Sequence, residues 1–104
     1  MAKYRHFGVP TSTPQPNESY MAGPKLHLTD PEAHPYKIEF LRFDADSDFS
    51  EYVRTRPHVA FEVESLDAAL QGQKVVVPAF DASPTLRCAF ILDGEALIEL
   101  MECK

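Results

Sequence analysis

The chain has 104 residues, is 44% hydrophobic and 25% charged, and carries a formal net charge of −6. These values are ordinary for one soluble globular domain. The acidity, with no basic cluster, speaks against a nucleic-acid partner, whose binding draws on Lys and Arg. No apolar run approaches the roughly 18 residues that a membrane-spanning helix needs. Met1-Ala2-Lys3-Tyr4-Arg5-His6 lacks the apolar stretch of a secretory signal. Cys88 and Cys103 do not make a disulfide framework, so a cytoplasmic location is expected.

Lys3 to Val9 reads as a strand closed by Pro10. Between Pro10 and Pro35 lie six of the nine prolines. Proline forbids helix interiors and central ladders, so positions 10–35 read as loop, with one short edge strand from Lys25 to Thr29. Tyr36 to Phe43 is a strand rich in aromatic residues, and Asp44 to Glu51 is a polar turn or linker. Arg56 to Val63 is the next strand. Ser65 then caps a short helix whose Leu66, Ala69 and Leu70 make one apolar stripe, and Gly72 ends it. Strands follow at Lys74 to Val77, Leu86 to Leu92 and Ala96 to Glu102, the last two joined by an Asp93-Gly94 turn. The second half thus reads β-α-β-β-β. The first resembles the same unit with its helix replaced by the proline-rich stretch. The expected core comprises Phe7, Val9, Ile38 and Phe40 in the first half. In the second it comprises Val59, Phe61, Val63, Leu66, Leu70, Val75, Val77, Cys88, Phe90, Ile98 and Leu100.

One pattern occurs twice. His6-Phe7-Gly8-Val9 is followed by Ile38-Glu39-Phe40, and His58-Val59-Ala60-Phe61 by Ile98-Glu99-Leu100. Each unit places a His on one strand and a Glu on a later one, with a small residue two positions after the His. Glu99 shares a strand face with Leu97 and Met101, and Glu39 with Leu41 and Phe43. A lone carboxylate enclosed among apolar neighbours is costly unless it is paired or ligating. Two imidazoles and two carboxylates suit a divalent transition metal, Ni, Zn, Co, Mn or Fe. The bland alternatives are a Glu99 near a frayed terminus and a Glu39 paired with Lys37 or Arg42. Arg42, Arg56 and Arg87 are candidates to hold an anionic substrate. His27 and His34 read as surface residues of the proline-rich segment or as parts of a lid over a site.

Pro57 to Glu102, with its helix signal, Asp93-Gly94 turn and final Ile98-Glu99-Leu100, resembles the C-terminal βαβββ module of the vicinal oxygen chelate superfamily. That superfamily includes glyoxalase I, extradiol dioxygenases and bleomycin-resistance proteins. Tyr4 to Val9 and Tyr36 to Phe43 resemble the first and last strands of its N-terminal module. The resemblance implies an α+β fold of paired βαβββ modules forming a curved, partly open barrel. The chain would be a single domain, with an abridged first module lacking its helix at 1–51 and a second module at 52–104. It implies metal ligands at His6, Glu39, His58 and Glu99, the set that the internal repeat picks out. A dioxygenase-like triad would use His6, His58 and Glu99; the presence of Glu39 tilts toward isomerases, lyases and epimerases. By resemblance to glyoxalase I, Glu99 would be the catalytic base, or Glu39 if the proton leaves from the other face.

The leading expectation is therefore a divalent-metal-dependent glyoxalase-like enzyme acting on a small oxygen-rich substrate through an enolate-like intermediate. The missing helix leaves one sheet face poorly covered, which favours a homodimer. The alternative is a non-catalytic small-molecule-binding protein of the bleomycin-resistance type, in which each His would hydrogen-bond a Glu without metal.

Overall fold

The computed structural model describes residues 2–104. It is a mixed α+β structure of eight strands and two short helices. The strands are β1 (Lys3–Pro10), β2 (Ser19–Met21), β3 (Leu26–Leu28), β4 (Ile38–Phe43), β5 (His58–Glu62), β6 (Lys74–Ser83), β7 (Leu86–Asp93) and β8 (Ala96–Cys103). The helices are α1 (Glu51–Thr55) and α2 (Leu66–Ala69), and a single 3-10 turn lies at Pro31–Ala33. Among the described residues no helix is long and apolar enough to cross a membrane. The described chain divides into two compact units: His6–Pro57, and His58–Lys104 together with residues 2–5.

In the C-terminal unit the strand order is β5-β8-β7-β6. β5 runs parallel to β8, while β7 is antiparallel to both β8 and β6. Alternation in these strands sends one set of side chains to each face. On one face Leu66 of α2 is fully buried among Ala89, Ile91 and Leu100, with Phe61, Val63, Leu70 and Ile98 packed around them. On the other face Ala60, Cys88 and Met101 form a second cluster. α2 forms because the Ser65 side chain accepts from Ala68 N, satisfying one of the helix's orphan donors. The Glu102 carboxylate accepts from Leu66 N at 2.6 Å and ties the helix to β8. Gly94 opens the two-residue loop between β7 and β8 at φ 61, a conformation that glycine adopts without a Cβ clash. β6 is long and irregular. It carries Pro78 and three register shifts against β7, between Val75 and Val77, Val77 and Phe80, and Asp81 and Ser83.

In the N-terminal unit the order is β2-β3-β4-β1, with β1 parallel to β4 and the other neighbours antiparallel. The strand sequence and pairing senses repeat those of the C-terminal unit. Between β1 and β2, where the other unit has α2, residues 11–18 form no helix. They leave a cavity of about 250 Å³ over Ile38 and Phe40, walled by Pro16 and Ala33 among others. α1 packs near β4 with Val53 buried.

Several expectations need correction. Val75 is not core but 40% exposed, because the first register shift in β6 falls between it and the buried Val77. Phe7, Val9, Ile38, Phe40, Val59, Phe61, Val63, Leu70 and Ile98 are half-buried. A four-residue helix covers only part of its sheet face, and the other unit has no helix there at all. The short strand expected at the sheet edge, β3, is interior to its sheet, because β2 pairs outside it.

Candidate functional site

Within the N-terminal unit, β1 and β4 are paired in parallel with Gly8 opposite Glu39. His6, two residues before Gly8, shares its face and is buried. Its Nε2 lies 3.3 Å from Glu39 Oε1. Within the C-terminal unit, β5 and β8 are paired in parallel with Ala60 opposite Glu99. His58, two residues before Ala60, places its Nε2 3.2 Å from Glu99 Oε1. The same atoms meet at the same spacing in both units, and the flanking pairs Phe7–Ile38 and Val59–Ile98 keep the same register. A small residue opposite each Glu has a physical reason. A larger side chain there would occupy the space in which the imidazole and the carboxylate approach.

Burial sharpens the chemistry. His58 is 2% exposed, His6 4%, and Glu39 and Glu99 are each 9%. Carboxylates so enclosed need a cationic or hydrogen-bonding partner, and each has an imidazole. Glu99 is neither frayed nor solvent-facing: its face neighbours Leu97 and Met101 are buried too. Glu39 does not pair with Lys37 or Arg42, which bind Glu32 and Glu18 instead. His6, Glu39, His58 and Glu99 are the described residues that could hold a metal ion. Their donor set, two imidazole nitrogens and two carboxylate oxygens, fits a divalent transition metal.

Phe90, expected from the sequence only as a core residue, also borders these side chains. It lies opposite Glu99 in the β7–β8 ladder, and its ring meets the His58 ring edge-on, with centroids 5.2 Å apart. The signal was present: counting outward from the Asp93-Gly94 turn puts residue 90 beside residue 99.

The other candidates are engaged elsewhere. Arg56 lies over the Tyr52 ring at 4.9 Å, and Arg87 faces Asp67 at 3.7 Å. His27 Nε2 lies 2.9 Å from Asp44 Oδ1, and Tyr36 N donates to His34 Nδ1. Arg42 grips Glu18 with two bonds, Nε to Oε2 at 3.0 Å and Nη2 to Oε1 at 2.6 Å. This fork holds the Glu18 carboxyl down from 4.5 to about 2. A depressed folded-state value adds stability above the unfolded value, and that stability disappears as pH falls through the folded value. The Tm difference between the wild-type protein and Glu18→Gln will therefore be largest above pH 4.5 and shrink as the pH approaches 2. Thermal melts followed by circular dichroism across that range test this, and a constant difference would refute it.

No protein-family model matches the chain, and no protein of curated function matches it in sequence. In structure it is similar to the crystal structure of the hypothetical protein BH1468 from Bacillus halodurans C-125. The TM-score is 0.75 at 17% identity, over 99% of this chain and 95% of that one. That likeness concerns the fold.

Proposed function

We propose that the protein is a divalent-metal-dependent enzyme of the glyoxalase-like kind, an isomerase, lyase or epimerase, in which His6, Glu39, His58 and Glu99 hold one ion. The observation that carries the reading is the equivalence of the two His–Glu pairs, matched in strand, register, atoms and distance. Chance burial of two carboxylates would not reproduce all four. The same reading takes the two units as paired βαβββ modules of a curved, partly open barrel, the first without its helix, and the protein as a homodimer.

A divalent ion held there would supply Lewis-acid stabilisation of the enolate-like charge that builds on a substrate oxygen as a proton leaves the neighbouring carbon. Glu99 accepts that proton at a carboxylate oxygen; Glu39 does so if the proton leaves from the other face. His58, held by the Phe90 edge, keeps Glu99 in place. The apolar neighbours Leu97 and Met101 keep water from the carboxylate.

A second reading has its own support. At 3.2 and 3.3 Å each imidazole already serves as partner to a carboxylate, as in a metal-free small-molecule-binding protein. Elemental analysis of protein purified without chelator or affinity tag separates the two. About one transition-metal ion per chain is expected for a single site, and none in the His58→Ala, Glu99→Ala double variant. Absence of metal in the wild-type protein after incubation with Ni²⁺, Zn²⁺, Mn²⁺ and Fe²⁺ would leave the binding-protein reading.

A further inference from the structure

The face of the N-terminal sheet that carries His6 and Glu39 continues past them. Four residues past His6 on β1 and two past Glu39 on β4, alternation returns the paired Pro10 and Leu41 to that face, and Phe43 follows Leu41. These residues line a cavity of about 390 Å³ together with Thr11, Ser12, Asp44 and Arg54. Its size falls in the range of small-ligand sites.

The cavity has one cation, and it is built in. Val53, 1% exposed, anchors α1. Arg54, the next residue, turns its side chain back so that Nε donates to the Phe49 carbonyl at 2.7 Å. The Phe49 ring in turn stacks on Phe43, a wall of the cavity, with an interplanar angle of 14°. The two terminal nitrogens of Arg54 make no hydrogen bond or ion pair among the described residues. A guanidinium held through Nε with its Nη groups open is suited to a carboxylate. Across the cavity Asp44 is occupied: His27 Nε2 lies by Oδ1, and Tyr20 donates to Oδ2 at 3.1 Å.

We propose that this cavity is the substrate subsite next to the His6–Glu39 pair, and that it takes a small carboxylic acid whose carboxylate is gripped by Arg54. The proposal rests on the metal-centre reading for its catalytic meaning, though not for the binding itself. A monoanion fits better than a phosphate dianion. Asp44 lines the same cavity, the chain carries −6 overall, and one guanidinium offsets one charge. Ser12 and Thr11 supply hydroxyls for a neighbouring oxygen of the ligand. Of the arginines weighed from sequence, Arg42 and Arg87 are ion-paired to Glu18 and Asp67, and Arg56, stacked on Tyr52, borders a smaller cavity of about 160 Å³ together with the acidic Glu51.

The test is a titration of the ¹⁵N-labelled protein, with and without added Zn²⁺, using lactate and its neutral amide, lactamide. The two probes have nearly the same shape and differ in the charged group. Lactate is expected to shift the Thr11, Ser12 and Asp44 amides and the Arg54 Nε–H, and to bind at least about tenfold tighter than lactamide, the scale of a charge-assisted bond. Arg54→Gln should remove that preference while leaving the metal content unchanged. Equal binding of the two probes, or shifts confined to other residues, overturns the subsite in wild-type protein, whatever becomes of the variant. If no metal binds but lactate still shifts Arg54, the metal reading fails and the subsite stands. If metal binds and the preference is absent, the reverse holds.

Discussion

Treatment with a strong chelator will lower the Tm of the protein by about 15 °C or more, and metal will restore it. An ion that binds only the folded chain stabilises it by about 4 kcal/mol at a thousand times its Kd. For a domain of this size each kcal/mol moves Tm by about 4–8 °C. The buried His–Glu pairs explain the direction. The unfolded chain scatters four donors that the native strands hold at fixed register. The apo protein should still fold, because each imidazole faces a carboxylate at 3.2–3.3 Å. The His58→Ala variant should melt at the same temperature with and without chelator. A wild-type Tm indifferent to chelator and to metal would remove the thermodynamic case for a metal centre.

Leu66→Ala is the other substitution with a large expected effect. Leu66 is fully buried at the centre of the cluster with Ala89, Ile91 and Leu100. Truncating such a residue costs about 2–5 kcal/mol, part transfer and part residual cavity. The backbone of α2 has little freedom to collapse into the gap, because Leu66 N is bonded to Glu102 and Ser65 caps the turn. A fall in Tm of about 10 °C or more follows. Ile38→Ala on the corresponding face of the N-terminal unit, where no helix covers a half-buried side chain, should cost less than half as much. Urea denaturation of both variants measures the contrast. Equal losses would mean that α2 does not seal its face as described.

Much of this was legible in the sequence because it is carried by strand alternation. The His58-x-Ala60 and Glu99 positions follow from a period of two, and so does the separation of Phe61 from His58 onto opposite faces. The Asp93-Gly94 turn set the final hairpin. Features shorter than a period were not legible. β2 has three residues within a proline-rich stretch, and α1 has five with only Val53 buried. Neither is long enough to show an apolar repeat. Arg54 was missed for the same reason, since its role depends on a helix that local sequence does not announce. The engagement of Arg42 was not legible either, because its partner Glu18 lies 24 residues away. The exposure of Val75 depended on a bulge, which no local signal marked.

The irregularity of β6 bears on solubility. Within its unit β6 pairs only with β7, so its outer rim presents backbone donors and acceptors that another chain could bind. A long, regular rim of this kind is a template for fibrous self-assembly. Here ten residues are interrupted by Pro78, which has no amide hydrogen to offer, and by three bulges that break the ladder's spacing. In the N-terminal unit the edge strand β2 is only three residues long. Neither border gives an incoming strand a continuous row of partners, so the chain can concentrate much of its length in sheet without inviting its own copies to extend it.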